Sequence, residues 1–332
     1  MCQLYLRKRL ANPKSYRFKK DKMIPNPQFE QFLDTFPSSV HERLETMPQN
    51  RGRLAPEHCR AVMESLNISV ETLMKRLLPL ARLYSRTPIS GFQVGAVAKA
   101  QLLNHADDFA LFLGANIEFP AQALTQTIHA EQSAVVNAWL QGADKIEAIA
   151  VTAAPCGHCR QFLYELDGSD DLKIILHNQP SGKTSRHRLD DFLPEAFGPR
   201  ELGQAAGSMA ASARPANLAL HSPSDDVLVQ KALTAAAQSY APYSQNHAGC
   251  AVQTDKGKIY SGPYVENVAF NPSLSPLHTA VIQMTMENLE SDYKITRAVL
   301  VEKFTSISQC SICEQLLRTI APDVGLEYYE AE

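Results

Sequence analysis

Residues 129–159 read HAEQSAVVNAWLQGADKIEAIAVTAAPCGHC. An imidazole and a carboxylate, His129 and Glu131, open an Ala-rich run, and a Cys-x-x-Cys pair, Cys156 and Cys159, closes the stretch behind Pro155. The composition predicts a helix over 131–140, which Gly142 is suited to end. Residues 146–151 predict a buried strand that Pro155 breaks, and 159–166 predict a second helix ending near Gly168. Leu172–Leu176 predicts a further strand. Strand–helix–strand alternation implies parallel pairing and an α/β layered fold.

The two thiols stand where a strand gives way to a helix. Free N–H groups and the positive dipole end at a helix start favour thiolate, and thiolates bind zinc. His129 would complete three protein ligands and leave a fourth position open, as hydrolytic zinc sites require. Glu131 lies two positions further on, pointing away from the imidazole. It is a poor ligand there, but it can reach water or substrate and serve as general acid/base. Each residue also has a plainer reading. Cys-x-x-Cys alone fits a dithiol redox motif, a single His is usually structural, and a helix-starting Glu is usually a dipole partner. His158 is the alternative imidazole ligand, though it would leave Glu131 without a role. Together the residues meet every position of the H-x-E…P-C-x-x-C pattern, in which the Glu is not a ligand.

Upstream, residues 69–86 carry Leu73, Leu77, Leu80 and Leu83 at helical spacing, with Ser69 as N-cap, and Pro79 is expected to kink the middle. Phe92–Ala98 and Phe109–Leu113 predict two strands joined as a hairpin by NHADD. Residues 1–22 are strongly basic and fit a solvated extension; a nucleic-acid arm or targeting peptide is the alternative. Residues 23–68 are taken as a helical N-terminal segment. Residues 199–225, rich in small residues, Pro and Ser, predict a linker between a domain at 69–198 and another at 226–332.

The second domain repeats the first. Pro88-x-Ser90 with Gly95 recurs as Pro242-x-Ser244 with Gly249, and Cys156-x-x-Cys159 recurs as Cys310-x-x-Cys313, both offset by 154. Between them GANIEF at 114–119 faces GPYVENVAF at 262–270, and His129 faces His278, at offsets of 148 and 149. Order preserved with a local slip predicts a duplication with loop changes. In this alignment Ala280 stands at the place of Glu131, Tyr264 at that of Asn116 and Asn246 at that of Phe92, so the second copy is expected to be silent. One zinc per chain is expected; a second at His278, Cys310 and Cys313 is the alternative.

The bulk composition limits the partners. A chain of 332 residues exceeds one ordinary core, and a net charge of −3 offers no general attraction to phosphate backbones. No apolar run approaches the ~20 residues needed to span a bilayer, so neither a membrane nor a nucleic-acid partner is expected. Seven cysteines without a secretory segment predict a reducing, cytoplasmic setting.

SGFQVGA at 90–96, GANIEF at 114–119, HAEQSA at 129–134, PCGHCRQF at 155–162 and LPEAFGP at 193–199 carry a resemblance. From about residue 23 to its end, the chain resembles the cytidine deaminase family, in the long bacterial form with a catalytic and a degenerate copy. The resemblance implies duplicated three-layer α/β/α domains on mixed sheets. It implies hydrolytic deamination of cytidine or deoxycytidine in pyrimidine salvage by a homodimer. His129, Cys156 and Cys159 resemble its zinc ligands and Glu131 its proton shuttle. Asn116, Ile117 and Glu118 resemble its sugar-binding segment, Phe92 the residue packing on the pyrimidine, and Phe197 a further aromatic near the base.

Overall fold

The computed structural model describes residues 26–103, 105–178, 181–210, 215–289 and 294–332. The basic extension of 1–22 lies outside the described residues. The chain first forms α1 (Pro27–Leu33), α2 (His41–Leu44), α3 (Thr46–Gln49), a short strand β1 (Arg53–Leu54) and α4 (Pro56–Leu66). Helix α5 (Val70–Leu83) starts where predicted, with the Ser69 hydroxyl accepting from Thr72 N–H at 3.2 Å. It buries Leu73, Leu77 and Leu80, and it continues past Pro79 to Leu83.

The hairpin follows as β2 (Gly95–Leu102) and β3 (His105–Ala115). Strand β2 begins later than the hydrophobic pattern suggests. The backbone at 92–94 bonds to the Asn116 side chain instead of a neighbouring strand. Strand β3 begins earlier, taking in most of the polar connector. Then come α6 (Ala130–Trp139), β4 (Ala143–Val151), α7 (Gly157–Tyr164), β5 (Lys173–Asn178) and β6 (Lys183–Arg188). These strands form a mixed sheet of order β1-β3-β2-β4-β5-β6, in which β4 and β5 are parallel, as expected, and the other pairs antiparallel.

The second half supplies α8 (Val227–Ala237), β7 (Ala248–Thr254), β8 (Ile259–Pro263), α9 (Pro276–Glu287), β9 (Ile295–Glu302), α10 (Cys310–Ile320) and β10 (Leu326–Glu330). Its sheet runs β10-β9-β7-β8, with β10 and β9 parallel. That is the order and direction of β5-β4-β2-β3, so the halves share one topology.

Two glycines in each half explain the layers. A Cβ on Gly95 would meet Arg82 of α5 at 2.8 Å, and one on Gly114 would meet Ala134 of α6 at 2.1 Å. Gly114 pairs with Ala96, the neighbour of Gly95, and side chains alternate along a strand. Helices α5 and α6 therefore cover opposite faces of the sheet. Gly249 against Ala236 of α8 and Gly262 against Ala280 of α9 repeat the arrangement. Each half is a three-layer α/β/α unit, and α6 packs on α9 between them.

Residues of the expected linker are tied to both halves. Ser208 N–H donates to Glu165 O at 2.8 Å, and His221 N–H donates to Glu330 O at 3.0 Å. No described helix is long and apolar enough to cross a membrane.

Candidate metal centre and active-site cleft

His129 is the N-cap of α6, and Cys156 is the N-cap of α7. Cys159 follows in the first turn of α7, so two helix starts bring one imidazole and two thiols together. Cys156 Sγ lies 3.6 Å from His129 Nδ1 and 3.7 Å from Cys159 Sγ. With Zn–S near 2.3 Å and Zn–N near 2.05 Å, a tetrahedron has an S···N edge of about 3.6 Å and an S···S edge of about 3.8 Å. These two edges match, so the donor set fits zinc. Among the described residues this is the one group of three His, Cys, Asp or Glu side chains so gathered, its ligand atoms all within 4.8 Å.

The protons in the cluster are shared unequally. Hydrogen bonds from Cys159 and then His129 pull the Cys156 thiol down to about 3. Its bond with Cys156, and then burial, push Cys159 well above the ordinary thiol range. His129 is raised by its bond to Cys156. Such a proton-sharing set gives up its protons to a divalent ion. Glu131 is 4% exposed, and burial raises its carboxyl. It lies within hydrogen-bonding reach of Cys159 and outside the three-ligand group, a non-ligand acid beside the site.

A cleft of 290 Å³ opens onto this centre. Phe92, Asn116, Glu118, His129, Glu131 and Cys156 all line it. Cys159 lies buried beneath. Phe92 is 63% exposed, an unusual place for a Phe unless something packs on it. Ile117 does not line the cleft. Its side chain is buried, and its N–H and C=O both pair with Ile128 at 2.9 Å. Phe197 lies away from it as well.

Asn116 and Glu118 both hold the loop that carries Phe92. The Asn116 amide accepts from Val94 N–H at 2.9 Å and donates to Phe92 O at 2.9 Å. Glu118 Oε2 accepts from Ile89 N–H at 2.7 Å and Ser90 N–H at 3.0 Å, and its Oε1 accepts from the Ser90 hydroxyl at 2.5 Å. Burial opposes ionisation, but these bonds together hold the Glu118 carboxyl below its usual range. Sequence reasoning missed Ser90 and Thr127 as lining residues. The Pro-x-Ser repeat was the signal for Ser90, whereas Thr127 left none.

The second half revises the alignment of the repeat. Its N-cap is Ser275, and His278 is the third helical residue of α9, the place Gln132 holds in α6. The glycine contacts agree, since Ala280 meets Gly262 as Ala134 meets Gly114. His278 therefore matches Gln132. Ser275 stands where His129 does, and Leu277 where Glu131 does. The reading by residue type went wrong because one His was matched to another across a helix whose entry loop had changed length. His278 also uses both ring nitrogens on Ser275 and Gln126, away from Cys310 and Cys313. Glu266 keeps the loop clamp, accepting from Tyr243 N–H at 2.8 Å, Ser244 N–H and the Ser244 hydroxyl. Asn246, at the place of Phe92, is tied to Lys303 O and Gln309.

Comparison with known proteins agrees with the geometry. Residues 68–174 and 189–314 each match a family model described as the cytidine and deoxycytidylate deaminase zinc-binding region. The chain is similar to a cytidine deaminase of Aliivibrio fischeri, 39% identical over 91% of this chain and 97% of the relative. It is also similar to those of Sodalis glossinidius, at 44% over 76% and 81%, and Photorhabdus laumondii, at 42% over 80% and 86%. With both halves matching that model and relatives of 39–44% identity along most of the chain, this chain belongs to the cytidine deaminase family.

Proposed function

We propose that the chain hydrolyses the exocyclic amine of cytidine and deoxycytidine, giving uridine or deoxyuridine and ammonia. The observation that carries this reading is a buried, non-ligand carboxyl, Glu131, beside a His/Cys/Cys group that fits zinc. His129, Cys156 and Cys159 would hold zinc, whose chemistry when bound would be to make a water acidic enough to act as nucleophile near neutral pH.

The protein's own groups do the rest. Glu131 takes a proton from the attacking water and delivers it to ring N3 as oxygen adds at C4. It then takes the second proton from the hydroxyl now on C4 and gives it to the amine, so that the C4–N bond breaks, the carbonyl forms, one water is consumed and one ammonia is released. Its raised pKa suits a group that must hold a proton for part of the cycle. Phe92 offers its ring to the pyrimidine. Asn116 and Glu118 fix the Phe92 loop and present polar edges to the sugar. Glu118 is an anion in the cleft, which disfavours a 5′-phosphate and hence nucleotide or polynucleotide.

Replacing Glu131 by Gln tests the reading. Zinc content should stay at one per chain, while the ultraviolet change that follows cytidine to uridine slows by about 10²–10⁴-fold. Full activity in that variant, or a wild type without zinc, would sink it. Assays on deoxycytidine monophosphate and single-stranded DNA should show far slower turnover than on free cytidine. A dithiol redox role would release no ammonia and leave Glu131 without a task.

We further propose a cytoplasmic homodimer working in pyrimidine salvage. Phe270 and Phe304, both more than 60% exposed and outside the cleft, support an interface between copies. Sedimentation should give twice the chain mass of 36.7 kDa.

A further inference from the structure

Gln132 is 0% exposed and sits between the two halves. Its Oε1 accepts from His129 N–H at 3.0 Å. Its Nε2 reaches Pro272 O of the second half at 3.2 Å and His158 Nε2 at 3.2 Å. The His158 ring in turn stacks on the His129 ring, with centroids 5.2 Å apart and planes 24° apart. One buried amide thus fixes both the backbone of His129 and the ring that backs its imidazole, and it is anchored to a carbonyl that only the second half supplies.

The duplication repeats this arrangement in mirrored form. At the matching place His278 Nδ1 accepts from the N-cap Ser275 N–H at 3.2 Å, and its Nε2 bonds Gln126 O of the first half at 3.0 Å. Each half thus places a third-residue side chain between its own N-cap and a carbonyl of the other half.

We infer that Gln132 is a positioning residue of the metal centre, through which the silent half holds His129 in its ligating position. Outer hydrogen bonds to metal ligands typically change metal affinity by about 10–100-fold. The inference rests on the zinc reading above. It explains why the silent half is packed against the start of α6, and it assigns that half a share of metal retention.

The test compares three variants of the full chain by zinc release to a colorimetric chelator and by thermal melting. Gln132→Leu removes the amide at similar volume and should release zinc at least about tenfold faster than wild type. Gln132→His copies the other half's solution, with one ring nitrogen accepting from His129 N–H and the other donating to Pro272 O, and should stay within about threefold of wild type. Asn137→Leu is the structural control. Asn137 is equally buried on α6 and bonds Arg51 O and Leu113 O, away from the metal. It should lower the melting temperature and leave zinc release within about threefold. The inference is overturned if Gln132→Leu releases zinc no faster than Asn137→Leu, or if Gln132→His releases it as fast as Gln132→Leu. Should Gln132→Leu not fold, Gln132→His decides alone, and release more than about tenfold faster than wild type overturns the inference. A wild type that binds no zinc is a different outcome, and it removes the parent reading as well.

Discussion

Glu118 spends its carboxylate on the loop that carries Phe92, and Glu266 does the same in a half that lacks Glu131's counterpart. Survival of the clamp without the chemistry shows that this Glu has a structural duty in both halves. The sequence could place Glu118 near the cleft through the GANIEF motif, but it could not show where its oxygens point, because their partners are backbone N–H groups some 28 residues away. His129, Glu131, Cys156 and Cys159 were legible for the opposite reason. Their grouping follows from residue type at short spacing beside two helix starts. Ser90 joins both ends of the clamp, donating to Glu118 and accepting from Phe92 N–H at 2.9 Å. Its loss removes a charge-assisted bond, discounted by exposure to about 1 kcal/mol. Ser90→Ala should therefore raise KM for cytidine by about fivefold, while kcat stays within about twofold. Steady-state kinetics showing a lower kcat with KM unchanged would instead make the hydroxyl part of the chemistry.

At the scale of elements, α7 carries both cysteines of the cluster at its start and a buried anchor at its end. Glu165, just past Tyr164, is 1% exposed. Its Oε1 accepts from Tyr240 OH at 2.8 Å and Tyr243 OH at 2.5 Å, and its Oε2 accepts from Val268 N–H at 2.8 Å. All three donors belong to the second half, so α7 packs on α6 within its own half and is held at its end by the duplicate. Helical spacing located α5, and composition with its Gly and Pro breakers located α6, α7, β4 and β5. Periodicity carried no trace of Glu165, since a charged residue at a helix end reads as solvated. Glu165→Ala would leave two tyrosine hydroxyls and an N–H without an acceptor, at about 1–3 kcal/mol each if fully dry. We expect a loss of about 3 kcal/mol in urea unfolding with the slope unchanged, against about 1 kcal/mol for Tyr243→Phe. Equal, small losses in both variants would mean that water reaches the cluster and that the anchor is weak.

The whole molecule is two copies of one topology joined by the packing of α6 on α9, a shared apolar core and polar contacts across the seam, and this duplication was visible in the sequence as ordered motifs at nearly constant offset. The exact pairing was not, because a shortened loop before α9 moved the register. The corrected pairing makes His278 and Gln132 counterparts with different responses to acid. Burial pushes the His278 imidazole down to about 4, although the Gln126 carbonyl pulls the other way. The folded chain thus refuses a proton that the unfolded chain accepts below about 6.5. Stability from this group is complete above 6.5 and drains away as pH falls toward 4, reaching a cost of about 2 kcal/mol at pH 5. His278→Gln installs the first half's own side chain, which can accept from Ser275 N–H and donate to Gln126 O without titrating. Urea midpoints of this variant should match wild type at pH 7.5 and exceed it at pH 5, because every other titrating group is common to both. Parallel curves across that range would show that acid reaches His278 in the folded state, and with it the seam between the halves.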